Sequence, residues 1–313
     1  MASLPNDSNH HYVPEFYLKG FTERKHTLWV YEKGLSCPRS STPRQEGSIR
    51  NYYRFDDIGV PDDSVEKMLG KAESLVSPII RKLSNPQFQM TNKQRSTLYT
   101  FVALTFVRVP AYRNFIDEEA EKHFSRFVQN VASERERFHR KVDQFEQQTG
   151  ESLGDREEAR EQILSGKFRL RQESAGFNIF HSLKSGLDIA DTLEKEFGYD
   201  IFYCEPGAFF ITCDNPVFTL GPQANGTATL GMGFGLPDTE ILFPLNKRAC
   251  LKLSRNAEGS KLNFNLRQVD QLNVMVMAAA QKCAYAPGRS ELLSKSFEKY
   301  GCGLKYGSNA FLK

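Results

Sequence analysis

The sequence predicts an α+β fold, with a helical centre, small β elements before it and a mixed or antiparallel sheet after it. A long middle region repeats apolar residues at helical spacing, whereas the chain after Gly198 changes to short apolar runs separated by Gly, Pro and Asn. Strands and helices do not alternate strictly, which argues against a βαβ architecture. We expect one domain over residues 1–313, with an N-terminal region (1–60), a helical region (61–197) and a β-rich region (198–313).

The N-terminal region contains HHYVPEFYLKGF, residues 10–21, in which two histidines precede an aromatic and apolar run. Pro14 suits the first turn of a short helix, which Gly20 would end. The runs TLWVYEK (27–33) and SIRNYYRF (48–55) are rich in aromatic or β-branched residues and predict two strands. The apolar residues of the first run can dock it on the domain and hold its imidazoles in place.

Helices are predicted throughout the central region. The first covers residues 63–83, and a long helical segment begins after Thr91 or Asn92, either of which is a good N-cap, and continues to about Gln148. Pro110 should kink or split this segment, because proline lacks an N–H group and clashes with the preceding turn. Two further helices are expected at Asp155–Ser165 and Glu173–Phe197.

The region after Gly198 contains the strand-like runs YDIFYCE, AFFITCD, EILFPLN and ACLKLS. Each run is short and mostly apolar, and Gly, Pro or Asn residues separate one run from the next. A last helix is predicted at Val269–Lys282, before the run CAYAP. These runs should supply the strands of the C-terminal sheet.

Composition narrows the functional classes. The net charge of +3, from 41 basic and 38 acidic residues, is too balanced for a nucleic-acid coat but leaves room for a local basic cleft. The six cysteines are scattered without a CxxC pair, which favours buried thiols in a reducing compartment over a zinc or redox site. The longest apolar runs are far below the ~18 residues of a membrane span, and the N-terminus lacks the features of a signal peptide. We therefore expect a cytoplasmic protein without membrane association.

Three charged residues fall on helix faces that should be buried. Glu66 and Glu73 lie on the apolar side of the first central helix, and Arg108 is embedded in the mostly apolar run LYTFVALTFVRVPAYR. A buried carboxylate is costly unless it is paired or coordinated, and a guanidinium binds a carboxylate or a phosphate through two parallel hydrogen bonds. Two interpretations of Arg108 stay open, an Arg–Glu bridge between helices and a clamp for an anion. The glutamates could equally reach water at the rim of the core.

Asp214, Asn215 and Pro216 end the apolar run FFITC abruptly. A carboxylate at the end of a buried strand is a common functional position in open α/β sheets. Asp-Asn-Pro is also a good turn, whose side chains cap nearby amides. Spacing alone favours the turn.

Five segments together resemble one family. In chain order they are HHYVPEFYLKGF, VEKMLGKAES, FVRVPAYR, FFITCDNPVF and ILFPLNKRACL. They look like a widespread, mainly bacterial family of domains of unknown function, with an N-terminal His-Tyr-Val-Pro, a central Arg-x-Pro helix and a late Thr-Ser-Asp-Asn-Pro. This chain departs from that pattern at Cys213, which stands in the usual Ser position and puts a role for a hydroxyl there in doubt.

The resemblance spans nearly the whole chain and implies a single family-wide domain. It implies no activity. The positions that match its motifs are His11, Arg108, Asp214 and Asn215, and the positions that match its acidic helix more loosely are Glu66 and Glu73.

From these residues we expect one shared polar pocket. The expected function is hydrolysis of a phosphodiester or related phosphate, in a nuclease-like reaction, with nucleic acid or a small phosphate compound as partner. Arg108 would hold the anion, with Asn215 in the same candidate catalytic set, and His11 would act as general acid or base. Asp214 with Glu66 or Glu73 would hold Mg²⁺ or Mn²⁺ through oxygen ligands. The alternative is a non-catalytic module in which the same groups bind a small polar ligand or a protein partner.

Overall fold

A computed structural model describes residues 9–23, 26–35, 37–53, 63–167, 175–221, 228–231, 233–300 and 310–312. It divides into two compact units, Met1–Arg113 with Ile179–Lys313, and Asn114–Asn178. The division falls within the helical region and not near Gly198. Within the described residues the structure combines helices with sheets, which confirms the α+β prediction.

The larger unit begins with strand β1 (Asn9–His11), which pairs antiparallel with β4 (Ser48–Arg50). Helix α1 (Glu15–Leu18) follows Pro14 as predicted and tightens into a 3₁₀ turn at Lys19–Phe21. Strands β2 (Leu28–Glu32) and β3 (Arg39–Ser41) form a hairpin. The strand predicted over 48–55 was too long, because Asn51 takes a left-handed φ of 55° that ends the extended backbone. Residues 54 and 55 lie outside the described residues.

The predicted central helices are present. Their bounds are α2 (Ser64–Lys82), α3 (Asn92–Val107), α4 (Pro110–Ser133), α5 (Arg135–Thr149), α6 (Arg156–Leu164) and α7 (Ala175–Glu196). Thr91 begins α3 through a capping box, in which its hydroxyl accepts from the Gln94 amide and the Gln94 side chain accepts from the Thr91 amide. Pro110 splits the long segment as expected, and it stands as the first residue of α4, where its missing N–H costs little.

The C-terminal region forms two sheets. Its elements are β5 (Gly198–Cys204), β6 (Thr212–Cys213), β7 (Phe218–Leu220), β8 (Ala228–Leu230), β9 (Glu240–Asn246), β10 (Ala249–Ser254), β11 (Lys261–Phe264), α8 (Leu266–Ala279), β12 (Cys283–Ala286), α9 (Glu291–Tyr300) and β13 (Ala310–Leu312). A seven-stranded sheet has the order β11-β5-β10-β9-β7-β8-β13 and is mixed, since β11 runs parallel to β5. A four-stranded sheet, β3-β2-β12-β6, joins the N-terminal hairpin to the C-terminal region. Helix α9 was not predicted, and the strand in AFFITCD is shorter than expected, since β6 covers only Thr212–Cys213.

The N-terminal apolar run docks on the larger unit, as expected. The Tyr17 ring stacks on Phe243 of β9, with ring centroids 5.1 Å apart, and the Tyr17 hydroxyl donates to the Pro244 carbonyl at 2.6 Å. Phe16 contacts Phe101 of α3, with centroids 5.6 Å apart. Strand β1 and helix α1 are therefore fixed on the core.

The smaller unit is helical and charged. Val131, Ala132, Phe138 and Val142 form its buried cluster. Arg156 pairs with Asp143 at 2.8 Å and with Glu146 at 2.5 Å, and charges of both signs lie on the exposed face of α5. Within the part of the chain that the structure describes, no helix is both long and apolar enough to cross a membrane.

Candidate functional site

Arg108 lies directly after α3, with 2% of its side chain exposed. Its Nη1 donates to Glu73 Oε1 of α2 at 2.8 Å. The Nε and Nη2 atoms are buried and have no hydrogen-bond partner among the described residues. Within the described part of the chain, one edge of the guanidinium thus has no hydrogen-bond partner, and the predicted contact with a glutamate of the neighbouring helix is present.

Two hydroxyl groups near the guanidinium also lack a hydrogen-bond partner among the described residues. Tyr53 Oη and Ser182 Oγ are both buried and without a hydrogen-bond partner within the described residues. Together with Arg108 they line a cavity of about 20 Å³, enough for one water-sized group. Buried polar atoms are nearly always hydrogen-bonded. Residues that line one small cavity therefore carry several buried polar atoms without a hydrogen-bond partner among the described residues.

Glu66 also belongs to this cluster. Burial and the neighbouring carboxylate of Glu73 raise the pKa of Glu66 to about 7, while Arg108 acts in the opposite direction. A carboxyl group with this pKa is partly protonated at neutral pH, so it can both give and take a proton. The structure therefore brings together Glu66, Glu73 and Arg108.

The two histidines face opposite sides of β1, because successive side chains of a strand alternate. His10 is buried, and its Nδ1 accepts from the Tyr53 amide at 2.9 Å while its ring stacks on the Tyr53 ring. His10 Nε2 also lies 3.8 Å from Asp63 Oδ1. His11 instead lies partly exposed, with Nε2 3.3 Å from the Arg44 carbonyl oxygen.

The histidine that contacts Tyr53, a lining residue of the Arg108 cavity, is thus His10 and not the predicted His11. Three residues at or beside the cavity were not predicted from the sequence: Tyr53, Ser182 and His10. Strand alternation within HHYV could have shown that only one of the two histidines faces the core. The hydroxyls gave no comparable signal, since they come from separate segments of the chain.

The side chains of Asp214 and Asn215 form hydrogen bonds with main-chain groups. Asp214 is buried; its Oδ1 accepts from the Gln281 amide at 2.8 Å, and its Oδ2 accepts from Lys282 and Cys283 at 2.7 and 3.0 Å. Burial raises the pKa of Asp214, and these amide donors act against that rise. The Asn215 Nδ2 donates to the Ala279 carbonyl, at the end of α8, at 3.3 Å. Both side chains cap the connection between α8 and β12.

Neither Asp214 nor Asn215 lines the Arg108 cavity. Cys213, in place of the expected Ser, donates from its thiol to the Asn215 carbonyl at 3.1 Å, so a sulfur donor occupies the position of the hydroxyl. The described residues that line the Arg108 cavity include neither His11 nor Asp214, so this cavity is not the pocket that was expected to join these two side chains with Arg108.

Asp214, Glu66 and Glu73 were predicted to bind Mg²⁺ or Mn²⁺, but the described structure does not arrange them as a set of metal ligands. Among the described residues, no group of three or more His, Cys, Asp and Glu is arranged to hold a metal ion. One Glu73 oxygen is bonded to Arg108, and both Asp214 oxygens are bonded to amides. These oxygens are directed at protein donors.

The family comparison covers all of these positions. The family model described as a protein of unknown function, DUF4238, matches residues 9–289. No curated protein and no solved structure matches the chain. The matched range extends from β1 to the end of the four-stranded sheet and includes every candidate residue from His11 to Asn215. The chain therefore belongs to the DUF4238 family.

Proposed function

We propose that the Arg108 cavity binds one anionic group, a carboxylate or a phosphate, of a small ligand. One observation carries this proposal: a guanidinium that is 2% exposed lines a cavity, and its Nε and Nη2 have no hydrogen-bond partner among the residues that the structure describes. These two nitrogens form one edge of the guanidinium fork. That edge is suited to two parallel hydrogen bonds with a carboxylate or phosphate.

The surroundings favour an anion. Tyr53 and Ser182 can each donate a hydroxyl hydrogen to an oxygen placed between them and Arg108. A second guanidinium, that of Arg113, also lines the cavity, where it lies 5.0 Å from the centre of the Tyr52 ring. The volume of about 20 Å³ accepts only the tip of an anion. The rest of the ligand would have to lie outside the cavity.

The test is the exchange of Arg108 for lysine. Arg108→Lys keeps the charge and much of the apolar stem but loses the two-pronged edge. We expect inorganic phosphate or acetate to raise the melting temperature of the wild type above that in chloride at equal ionic strength. The variant should lose most of that increase while its own melting temperature changes little.

Arg39→Lys is the matched control, because Arg39 makes a bidentate pair with Glu46 at 2.6 and 3.1 Å, away from the cavity. It should keep the full response to phosphate. If Arg108→Lys lowers the stability by about 1–3 kcal/mol and leaves the anion response unchanged, Arg108 only bridges two helices.

A second candidate function is hydrolysis of a phosphate ester, which the pKa of about 7 at Glu66 favours. Water would add its oxygen to phosphorus while the bond to the leaving oxygen breaks. The leaving oxygen would take the proton of Glu66, and the proton released by the water would restore the Glu66 carboxyl group. Arg108 would hold the phosphate, and Glu66 would take the acid role that the sequence analysis assigned to His11.

Release of nitrophenol from nitrophenyl phosphate and bis(nitrophenyl) phosphate, together with cleavage of RNA and DNA, tests this second function. Activity should fall above about pH 7, as Glu66 loses its proton, and should be lost in Glu66→Gln but not in Glu32→Gln. Anion binding without turnover of any of these substrates would remove the hydrolase and leave the binding function standing.

A further inference from the structure

A second groove, of about 410 Å³, lies between α1, the C-terminal part of α2 and the turn from β9 to β10. It shares no lining residue with the Arg108 cavity. Two of its walls come from the segments PEFYLKGF and LFPLNKRACL, which the proposed function leaves unexplained, and the third comes from α2 and the residue Ser84 after it. The volume is that of a small-molecule site.

The charged side chains that line the groove are all positive. The lining side chains include four cations and no carboxylate, the cations being Lys19, Arg81, Lys247 and Arg248. This concentration is local, since the whole chain carries a net charge of only +3. Lys19 pairs with Glu15 at 2.9 Å, at the rim. A groove with this potential attracts anions.

Two of the four cations, Arg81 and Arg248, are free of ion pairs within the described residues, whereas Lys247 is bound to the main chain. Lys247 is held in place, because its Nζ donates to the Thr22 carbonyl at 2.8 Å. The Arg81 and Arg248 side chains are exposed and make no ion pair within the described residues. Arg81 lies in the last turn of α2 and Arg248 in the β9–β10 turn. They approach the groove from two walls, as is needed to hold a phosphate between them.

The floor of the groove is rigid. Asn246 is 7% exposed; its Oδ1 accepts from the Arg248 and Ala249 amides at 2.8 and 3.1 Å, and its Nδ2 donates to Ser84 Oγ at 2.9 Å. The Ser84 hydroxyl hydrogen is thereby left to donate elsewhere. A Cβ on Gly20 would lie 3.0 Å from the Asn246 Cβ, so glycine permits the close approach of the 3₁₀ turn.

The groove also has an apolar part. Phe16 is partly exposed in it and is fixed from behind by Phe101, and Ile80 lies beside it. An aromatic face next to cations suits a ligand that carries both a flat ring and a phosphate. We propose that this groove binds a phosphate-bearing ligand of about the size of a mononucleotide, with the phosphate between Arg81 and Arg248 and the ring near Phe16.

The experiment is calorimetric titration of the full chain with AMP, adenosine and inorganic phosphate. AMP should bind at least tenfold more tightly than adenosine. The double variant Arg81→Gln with Arg248→Gln should weaken AMP binding about tenfold or more. Its matched control, Arg126→Gln with Arg140→Gln, removes the same charge from exposed positions of α4 and α5 and should change AMP affinity less than twofold.

Four outcomes would overturn the proposal. The wild type could fail to bind AMP, or both double variants could lose affinity equally, which would indicate a general charge effect. Arg108→Lys could abolish AMP binding while the groove variant keeps it, which would move the ligand to the other cavity. A single-stranded RNA could bind far more tightly than AMP with the same dependence on Arg81 and Arg248, which would make the groove a nucleic-acid surface.

Discussion

Asp214 and Arg108 are both charged groups enclosed by apolar neighbours, yet their surroundings differ in hydrogen bonding. Three main-chain amides within 3.0 Å bind the Asp214 carboxylate. The Arg108 guanidinium bonds to Glu73 and leaves Nε and Nη2 unpartnered among the described residues. Burial of charge is therefore a poor indicator of a ligand site by itself. The informative quantity is the number of donors and acceptors that the fold leaves unsatisfied.

The difference has an energetic basis. Taking a charge out of water costs several kcal/mol, and the cost is offset only when the buried group regains its hydrogen bonds. For Asp214 the fold supplies all of these bonds from its own backbone. For Arg108 it supplies part of them, so an external oxygen atom would still gain free energy by binding there. The predictions below test this contrast, in order of decreasing effect.

The largest effect is expected at Asp214. Asp214→Ala should lower the free energy of unfolding by about 3–5 kcal/mol, because three amides lose a charged acceptor at a buried turn. Urea unfolding measures it, and Asp238→Ala, at an exposed loop carboxylate, should change stability by no more than about 0.5 kcal/mol. The response to phosphate should persist in both variants. If Asp214→Ala had near-normal stability but no longer responded to phosphate, Asp214 would be part of the functional site.

Glu73→Gln should have the next largest effect. Arg108 loses its charged partner, so stability should fall by about 2–3 kcal/mol. Phosphate should then stabilise this variant more than it stabilises the wild type, because the anion replaces the missing negative charge. Thermal unfolding over a phosphate series measures both quantities.

Glu32→Gln is the control for Glu73→Gln, since Glu32 has a similar exposure and pairs with exposed cations, and we expect a loss below about 1 kcal/mol. An equal response of Glu73→Gln and wild type to phosphate would contradict the anion site.

The dependence of stability on pH should identify Glu66. Its pKa is raised from 4.5 to about 7 in the folded state, so the folded protein holds this proton more tightly than the unfolded chain does. This contribution to stability is fully present below about pH 4.5 and is lost as the pH rises to about 7. Glu66→Gln should remove it, with a difference from wild type of about 1 kcal/mol across that window after solvent screening. Parallel stability curves for the two proteins would show that Glu66 titrates normally.

The smallest effect is expected at His11. His11→Ala should change stability by no more than about 0.5 kcal/mol and leave the phosphate response intact, because the ring is partly exposed and its hydrogen bond is to the Arg44 carbonyl oxygen. His10→Ala, in which Tyr53 loses a stacked ring and a buried acceptor, is the contrasting variant and should be clearly less stable. Loss of the phosphate response in His11→Ala alone would reverse this assignment.

Local patterns were enough to predict most elements. The helical spacing before Leu83, the N-cap at Thr91 and the proline at position 110 gave the bounds of α2 and α3 and the split before α4 to within a few residues. These features depend on neighbours three or four residues away, which the sequence contains directly. Helix α9 was missed although Leu293 and Phe297 recur at helical spacing in its sequence. Strand β4 was shorter than predicted because one residue, Asn51, takes a left-handed conformation.

The sequence by itself indicated that Arg108 and Asp214 would be buried, since each stands in or directly after an apolar run whose burial follows from hydrophobicity. It left open whether Glu73 would reach water, and the Glu73 side chain is 24% exposed. Which of them would find partners was decided only by tertiary structure. The amides that satisfy Asp214 lie 67 to 69 positions further along the chain, and the hydroxyls beside Arg108 come from residues 53 and 182. Hydrogen bonds act over about 3 Å in space, and no local pattern encodes which distant segments will come that close.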